Sequence, residues 1–186
     1  KVFQAAATAR DMSKDSNVQG WNDATTMVIT GKAAGQIMGD WAQGEFQVAN
    51  QVAGEDYTCL PGLGVNEVIM TGGDAFYFPK VDDPAITEAQ GELAKVMLSP
   101  EAQVAFNLKK GSLPVRGDVD LAAANDCMKK GLDILAKGNV IQSPDQLMSA
   151  DSLTQVNDLF VEFFNNPSMT AEDAQSMFAS IVGNAD

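Results

Sequence analysis

Four short apolar runs, Ala34 to Met38, Tyr57 to Leu60, Val68 to Met70 and Ala75 to Phe78, are the stretches of this chain that read as β-strands. Each is cut off by glycine, proline or a charged residue, and helical patterns fill most of the remaining sequence. A doubly wound sheet needs strands that alternate regularly with helices, and this order does not supply them. The pattern predicts an α/β fold that is mainly helical and fits part of a protein better than an entire one.

The helices carry clear start and stop signals. The opening residues read as a helix with Val2, Phe3, Ala6 and Ala9 on one side, followed by a polar turn over 13–20. Asn22 is the expected N-cap of a second helix ending by Gly31 or Lys32, and Asp40 the expected cap of a helix over Trp41 to Val48. Thr87 to Leu98 is amphipathic, with Leu93, Val96 and Met97 expected inward. Ser99-Pro100-Glu101 places a serine N-cap before a proline at the first helical position, and Gly111 ends that helix. An extended link, Ser112 to Arg116, leads to a helix over Leu121 to Lys137. Ser152 with Gln155 and Thr170 with Asp173 are spaced as capping boxes. The helices they open should bury Val156, Leu159, Phe160 and Phe163, then Met177, Phe178 and Ile181.

Charge and residue types exclude several functions. The 186 residues carry a net charge of −13, scattered rather than clustered, which disfavours nucleic acid and anionic lipid as partners. The chain has no histidine, which removes Ser-His-Asp and Cys-His catalysis and argues against zinc. No cofactor or metal is expected. Cys59 and Cys127 stand far apart outside any CxxC motif, open to either one disulfide or two buried thiols. No apolar run reaches the roughly 20 residues of a bilayer-spanning helix. The first residues read as a helix already under way with no signal peptide before it, so the chain is expected to start inside a longer protein.

The stretch Gly20 to Phe46 contains the most distinctive chemistry, Gly39-Asp40-Trp41, a tryptophan beside a carboxylate. An aromatic face covers the C–H face of a pyranose while polar groups take its hydroxyls. A core tryptophan beside a helix-capping aspartate explains the same residues.

An ordered set of blocks extends beyond this stretch: Gly20-Trp21-Asn22-Asp23-Ala24, Gly31-Lys32-Ala33, Met38 to Phe46, Asp74-Ala75-Phe76, Pro79-Lys80, Ser99 to Gln103, and Lys109 to Arg116. Together they resemble the C-terminal half of extracellular solute-binding proteins of sugar ABC transporters, of the glucose/galactose/mannose type. The resemblance implies part of a two-lobe periplasmic-binding-protein fold of type II. Residues about 1–60 and 112–186 would be mixed lobe and hinge segments, and about 61–111 a hinge crossing with return to the other lobe. It also implies capture of a glucose-like monosaccharide between the lobes, hinge closure, delivery to an inner-membrane permease, and a periplasmic location. The N-terminal half of the same protein would be a partner supplied from outside this chain.

The same resemblance assigns roles. Trp41 would stack on the sugar, Asp74 accept hydroxyl hydrogen bonds, and Lys110 donate one. Gly73, with Gly72, would let the backbone approach the ligand. Asp40 could accept a hydroxyl as well as cap a helix, and Gln146 would stand where many relatives have histidine. For Asp74 the competing explanation is a Gly-Asp turn, and for Lys110 a lysine favoured by the helix dipole. Arg116 is expected to be structural. In the exported setting so implied, Cys59 and Cys127 are expected to form a disulfide. No enzymatic activity is expected. The alternatives are a structural fragment that binds nothing, or a glycosidase built on Asp40 and Asp74.

Overall fold

Phe3, Ala6, Ala7 and Arg10 recur at helical spacing, and this stripe faces inward in the first helix, α1 (Val2–Ser13). Val2 and Ala9 lie on its exposed side, one position away from the expected stripe. The computed structural model describes residues 1–13, 18 and 20–183, so most of the expected polar turn over 13–20 falls outside the described residues. The chain divides into two compact units, one of residues 1–17 and 142–186, the other of residues 18–141.

In the first unit α1 packs with α8 (Ala150–Asn165) and α9 (Ala171–Gly183), and a single turn of helix, α7 (Pro144–Leu147), precedes them. The core is aromatic. Phe3 stacks on Phe160 at 5.2 Å and meets Phe163 and Phe178 edge-on at 5.5 and 6.0 Å. Phe163 and Ala174 are completely buried and Leu159 nearly so, while Met177 stays 42% exposed because it sits off the packed stripe. Thr170 and Asp173 form the expected capping box, each side chain bonding the other's backbone N–H. Ser152 does not open its helix. Ser149 accepts from the Ser152 N–H at 3.1 Å, so α8 starts earlier and Ser152 is buried inside it, while Gln155 turns to Asp151.

The second unit holds α2 (Trp21–Ile29), α3 (Gln43–Val48), α4 (Pro84–Met97), α5 (Pro100–Lys110) and α6 (Asp126–Ala136). A small two-stranded sheet pairs β1 (Ile69–Thr71) with β2 (Val140–Gln142). The other three expected strands are irregular. Ala34 to Met38 finds no strand partner; Gln36 instead turns to α2, accepting from Thr25 Oγ1 at 2.7 Å and donating to the Trp21 carbonyl at 2.8 Å. Around Tyr57 a lone bridge to Ala53 forms. The run Ala75 to Phe78 is unpaired, with Phe76, Tyr77 and Phe78 exposed.

Helix starts differ where a neighbouring cap competes. Gly20, not Asn22, precedes α2. Asp83 caps α4 ahead of Pro84, three residues before Thr87. Asn125 caps α6 through the Met128 N–H, so 121–124 is a turn. Ser99 caps α5 as expected, accepting from the Ala102 N–H at 3.2 Å. Leu93 and Val96 of α4 are about half exposed, and α4 buries no residue, because little packs on it within this unit. Phe46, Ala42, Ala124, Cys127, Met128 and Ile134 supply the buried apolar side chains of the second unit. Cys59 and Cys127 are joined in a disulfide.

Candidate functional site

The site begins with a glutamine, Gln43, and a left-handed glycine, Gly111. Gly111 ends α5 at φ 81°, and its N–H returns to the Asn107 carbonyl at 2.7 Å. Gln43 is buried and donates from Nε2 to the Gly111 carbonyl at 2.6 Å. One turn on, Gln47 donates to the Leu108 carbonyl at 3.1 Å, and Gly44 lies against the carbonyls of Lys109 and Lys110. Two side chains of α3 thus satisfy carbonyls that the end of α5 leaves unpaired. Tyr57 also braces α3, stacking on Phe46 at 4.1 Å and donating from its hydroxyl to Gln43 Oε1 at 3.3 Å.

This docking places the segment before α3 beside the end of α5. Asp40 to Ala42 is a single 3-10 turn with Gly39 ahead of it, so Gly39 rather than Asp40 occupies the cap position. The indole of Trp41 folds back over Gly39, where a Cβ would lie 2.1 Å from the ring. Trp41 nevertheless remains 45% exposed, so it is not a core residue of this unit.

Lys110 reaches from the last turn of α5 to Asp74, with Nζ 2.5 Å from Oδ2. The ring of Phe106, one turn back, lies 5.6 Å from the ammonium. Asp74 is largely exposed. Gly72 and Gly73 have ordinary backbone angles, and nothing lies within 4 Å of where a Cβ would be. The chain's own packing therefore does not demand glycine at either position.

Asp40 feels the same ammonium. Burial pushes its carboxyl above the ordinary carboxylate range, opposed by the Ser112 hydroxyl, Lys110, and the backbone amides of Leu113 and Trp41. The residue as a whole is nevertheless exposed, so the upward push is modest and acts on the carboxyl end alone. Ser112 is buried, and its hydroxyl makes no hydrogen bond of good geometry with the described residues. Lys110, Asp74, Asp40 and Trp41 all belong to one unit, and the ion pair of Lys110 is with Asp74. Gln146 lies in the other unit, exposed on α7. Arg116 is structural, gripping Asp118 and donating to the Leu98 carbonyl at 3.1 Å.

Gln43 and Ser112 were missed from the sequence. Both stand inside the blocks quoted above, but a glutamine after a tryptophan turn and a serine after glycine carry no signal that they will be buried. Two surface hollows, of about 450 and 270 Å³, are lined by other residues and include none of Asp40, Trp41, Asp74 and Lys110. Among the described residues no cluster suited to a metal ion occurs, and no helix is long and apolar enough to cross a membrane.

Part of the chain is similar to proteins named as sugar-binding or extracellular-binding proteins of transport systems. Over 127 residues, 67% of its length, the chain is 42% identical to a probable sugar-binding periplasmic protein of Brucella suis, of which it covers 30%. It is 35% identical over 109 residues to an uncharacterized ABC transporter extracellular-binding protein of Pyrococcus horikoshii, which is 56% of this chain and 23% of that one. A xylose/arabinose-binding protein of Haloferax volcanii is 29% identical over 116 residues, 62% of this chain and 25% of the relative. The matched part of the chain therefore covers less than a third of the length of these relatives. No family model matches it. The names of all three relatives describe binding proteins, not enzymes.

Proposed function

We propose that this chain is the C-terminal half of an exported solute-binding protein that captures a glucose-like monosaccharide and delivers it to an ABC transporter permease. The bond from Lys110 to Asp74 carries this reading, with the exposed Trp41 two residues before the Gln43 that holds the neighbouring Gly111 carbonyl. Trp41 stacks on the ring, Asp74 accepts hydroxyl hydrogen bonds and Lys110 donates. Gly73 leaves room for the ligand, Asp40 contributes from the turn of Trp41, and Gln146 is a further ligand-binding residue. The rest of the cleft belongs to the N-terminal half, and the lobes close in the periplasm before docking on the permease. The relatives' names support sugar capture in general, while glucose as the sugar rests on the sequence resemblance.

The test is calorimetry of the intact polypeptide that carries this chain, against a panel of monosaccharides. Binding of a hexose, weakened about tenfold or more in Trp41→Ala and in Asp74→Asn, is the expected result. No heat with any sugar would leave a structural fragment as the better description. Release of nitrophenol from nitrophenyl glycosides would favour the carboxylate-pair glycosidase.

A further inference from the structure

The end of α5 is held from α3. Gln43 is only 3% exposed and donates from Nε2 to the Gly111 carbonyl at 2.6 Å, at the residue directly after Lys110. A carbonyl can only accept, so this bond fixes which way the amide faces and leaves its Oε1 in need of a donor. Tyr57 supplies one, donating its hydroxyl to Oε1 at 3.3 Å, a longer and weaker bond than the first. Tyr57 is itself held. Its ring stacks on Phe46 at 4.1 Å, its carbonyl accepts from the Gly54 N–H at 2.8 Å, and two residues on Cys59 is bonded to Cys127 of α6. Gln43 therefore joins an anchored phenol to the helix end that carries Lys110. Trp41 lies two residues before Gln43, on the turn that leads into α3.

We propose that Gln43, held by Tyr57, is a positioning residue for the sugar site: its bond to the Gly111 carbonyl sets the backbone from which Lys110 reaches, in register with Trp41, before the ligand arrives. This rests on the sugar-binding reading of the site. Being buried, Gln43 acts through Lys110 and does not need to meet the ligand. A site that grips a sugar with a ring and an ammonium binds most tightly when both are already placed, because any ordering on binding is subtracted from the affinity. The pair of Lys110 with Asp74 is a weak restraint by itself, since Asp74 is largely exposed and the lysine stem is long. The Gly111 carbonyl is different, because Gly111 is buried. Without the Gln43 donor a buried acceptor loses its partner, and the last turn of α5 must shift to satisfy it. Lys110 shifts with that turn. Removing the Tyr57 hydroxyl acts in the same direction and more weakly, because it frees the amide of Gln43 and leaves its bond to Gly111 in place.

The first measurement needs no sugar. In the intact polypeptide carrying isotope-labelled lysine, the NMR resonance of the Lys110 ammonium nitrogen is assigned by its loss in Lys110→Arg. Gln43→Met, similar in volume but without a donor, should shift this resonance. Tyr57→Phe, which keeps the ring stack, should shift it in the same direction by less. A resonance unmoved in Gln43→Met overturns the proposal, and if that variant does not fold, Tyr57→Phe decides in its place. The second measurement is D-glucose calorimetry on the folded variants, beside their urea midpoints. Affinity should fall about tenfold in Gln43→Met and about threefold in Tyr57→Phe, and Tyr57→Phe should cost nothing further in the Gln43→Met background. Affinity unchanged while the urea midpoints drop makes Gln43 merely structural and overturns the proposal. Additive losses in the double variant overturn the route from Tyr57 through Gln43. Absence of glucose binding by the unaltered polypeptide overturns the sugar-binding reading, while the resonance still decides whether Gln43 positions Lys110.

Discussion

A methyl group at position 111 would lie 2.4 Å from Cβ of Gln43, and the residue already holds φ at 81°. Gly111→Ala therefore combines left-handed strain with a collision against a buried side chain. The two effects should cost about 2 kcal/mol in denaturant unfolding, and the loss of the Gln43 bond should move Lys110 and weaken sugar binding with it. Gly73→Ala is the contrasting variant. With open space around it and an ordinary backbone angle, it should change stability by less than about 0.5 kcal/mol. Equal stability losses in the two variants would show that backbone geometry does not distinguish the positions. At this scale the family resemblance singled out Trp41, Asp74 and Lys110, since their residue types alone read equally well as a core tryptophan, a turn and a helix-end lysine. Gln43 acts through being buried against Gly111, and burial is a property of what packs on it.

Helix ends show the same division. Ser99 before Pro100, and Thr170 with Asp173, were readable because a cap is a contact across three residues of one chain segment. Ser152 misled because Ser149 offers the same chemistry one turn earlier. The expected strands failed for another reason: a strand needs a partner, and Ala75 to Phe78 has none among the described residues, whatever its β-forming composition. Arg10 is an element-scale contact invisible in the sequence. It donates to the carbonyls of Phe163 and Asn166 at 2.8 and 3.3 Å, lies 4.7 Å over the Phe163 ring, and so caps the end of α8 from α1. Arg10→Met keeps much of the apolar stem and removes the donors. It should destabilise the first unit by about 2 kcal/mol, with faster amide exchange in the last turn of α8. Unchanged exchange there would mean that water satisfies these carbonyls equally well.

The two units are stabilised by different means, and the cysteines lie in one of them. The first has an aromatic core around Phe3 and Phe163 and no cysteine. The second leaves Phe76, Tyr77, Leu93 and Val96 in solvent, buries few large side chains, and joins Cys59 to Cys127 across 68 residues. That loop contains Asp74 and Lys110, so the link restrains the segments that present the site. In the chain-entropy description, closing a loop of this length removes about 4 kcal/mol worth of unfolded-state freedom. A unit whose own core is thin should depend on that contribution. Reduction, or the paired substitution of Cys59→Ser and Cys127→Ser, is expected to lower the stability of the second unit by up to about 4 kcal/mol. Thermal unfolding followed by amide exchange in α5 and α6 reads that loss, while exchange in α8 and α9, in a unit without cysteine, is expected to change little. A second unit whose exchange is indifferent to reduction would place its stability in contacts with the remainder of the polypeptide instead of in the bond. The same measurement bears on location, because a fold that needs this disulfide needs an oxidising compartment, as the periplasm of the proposed function provides.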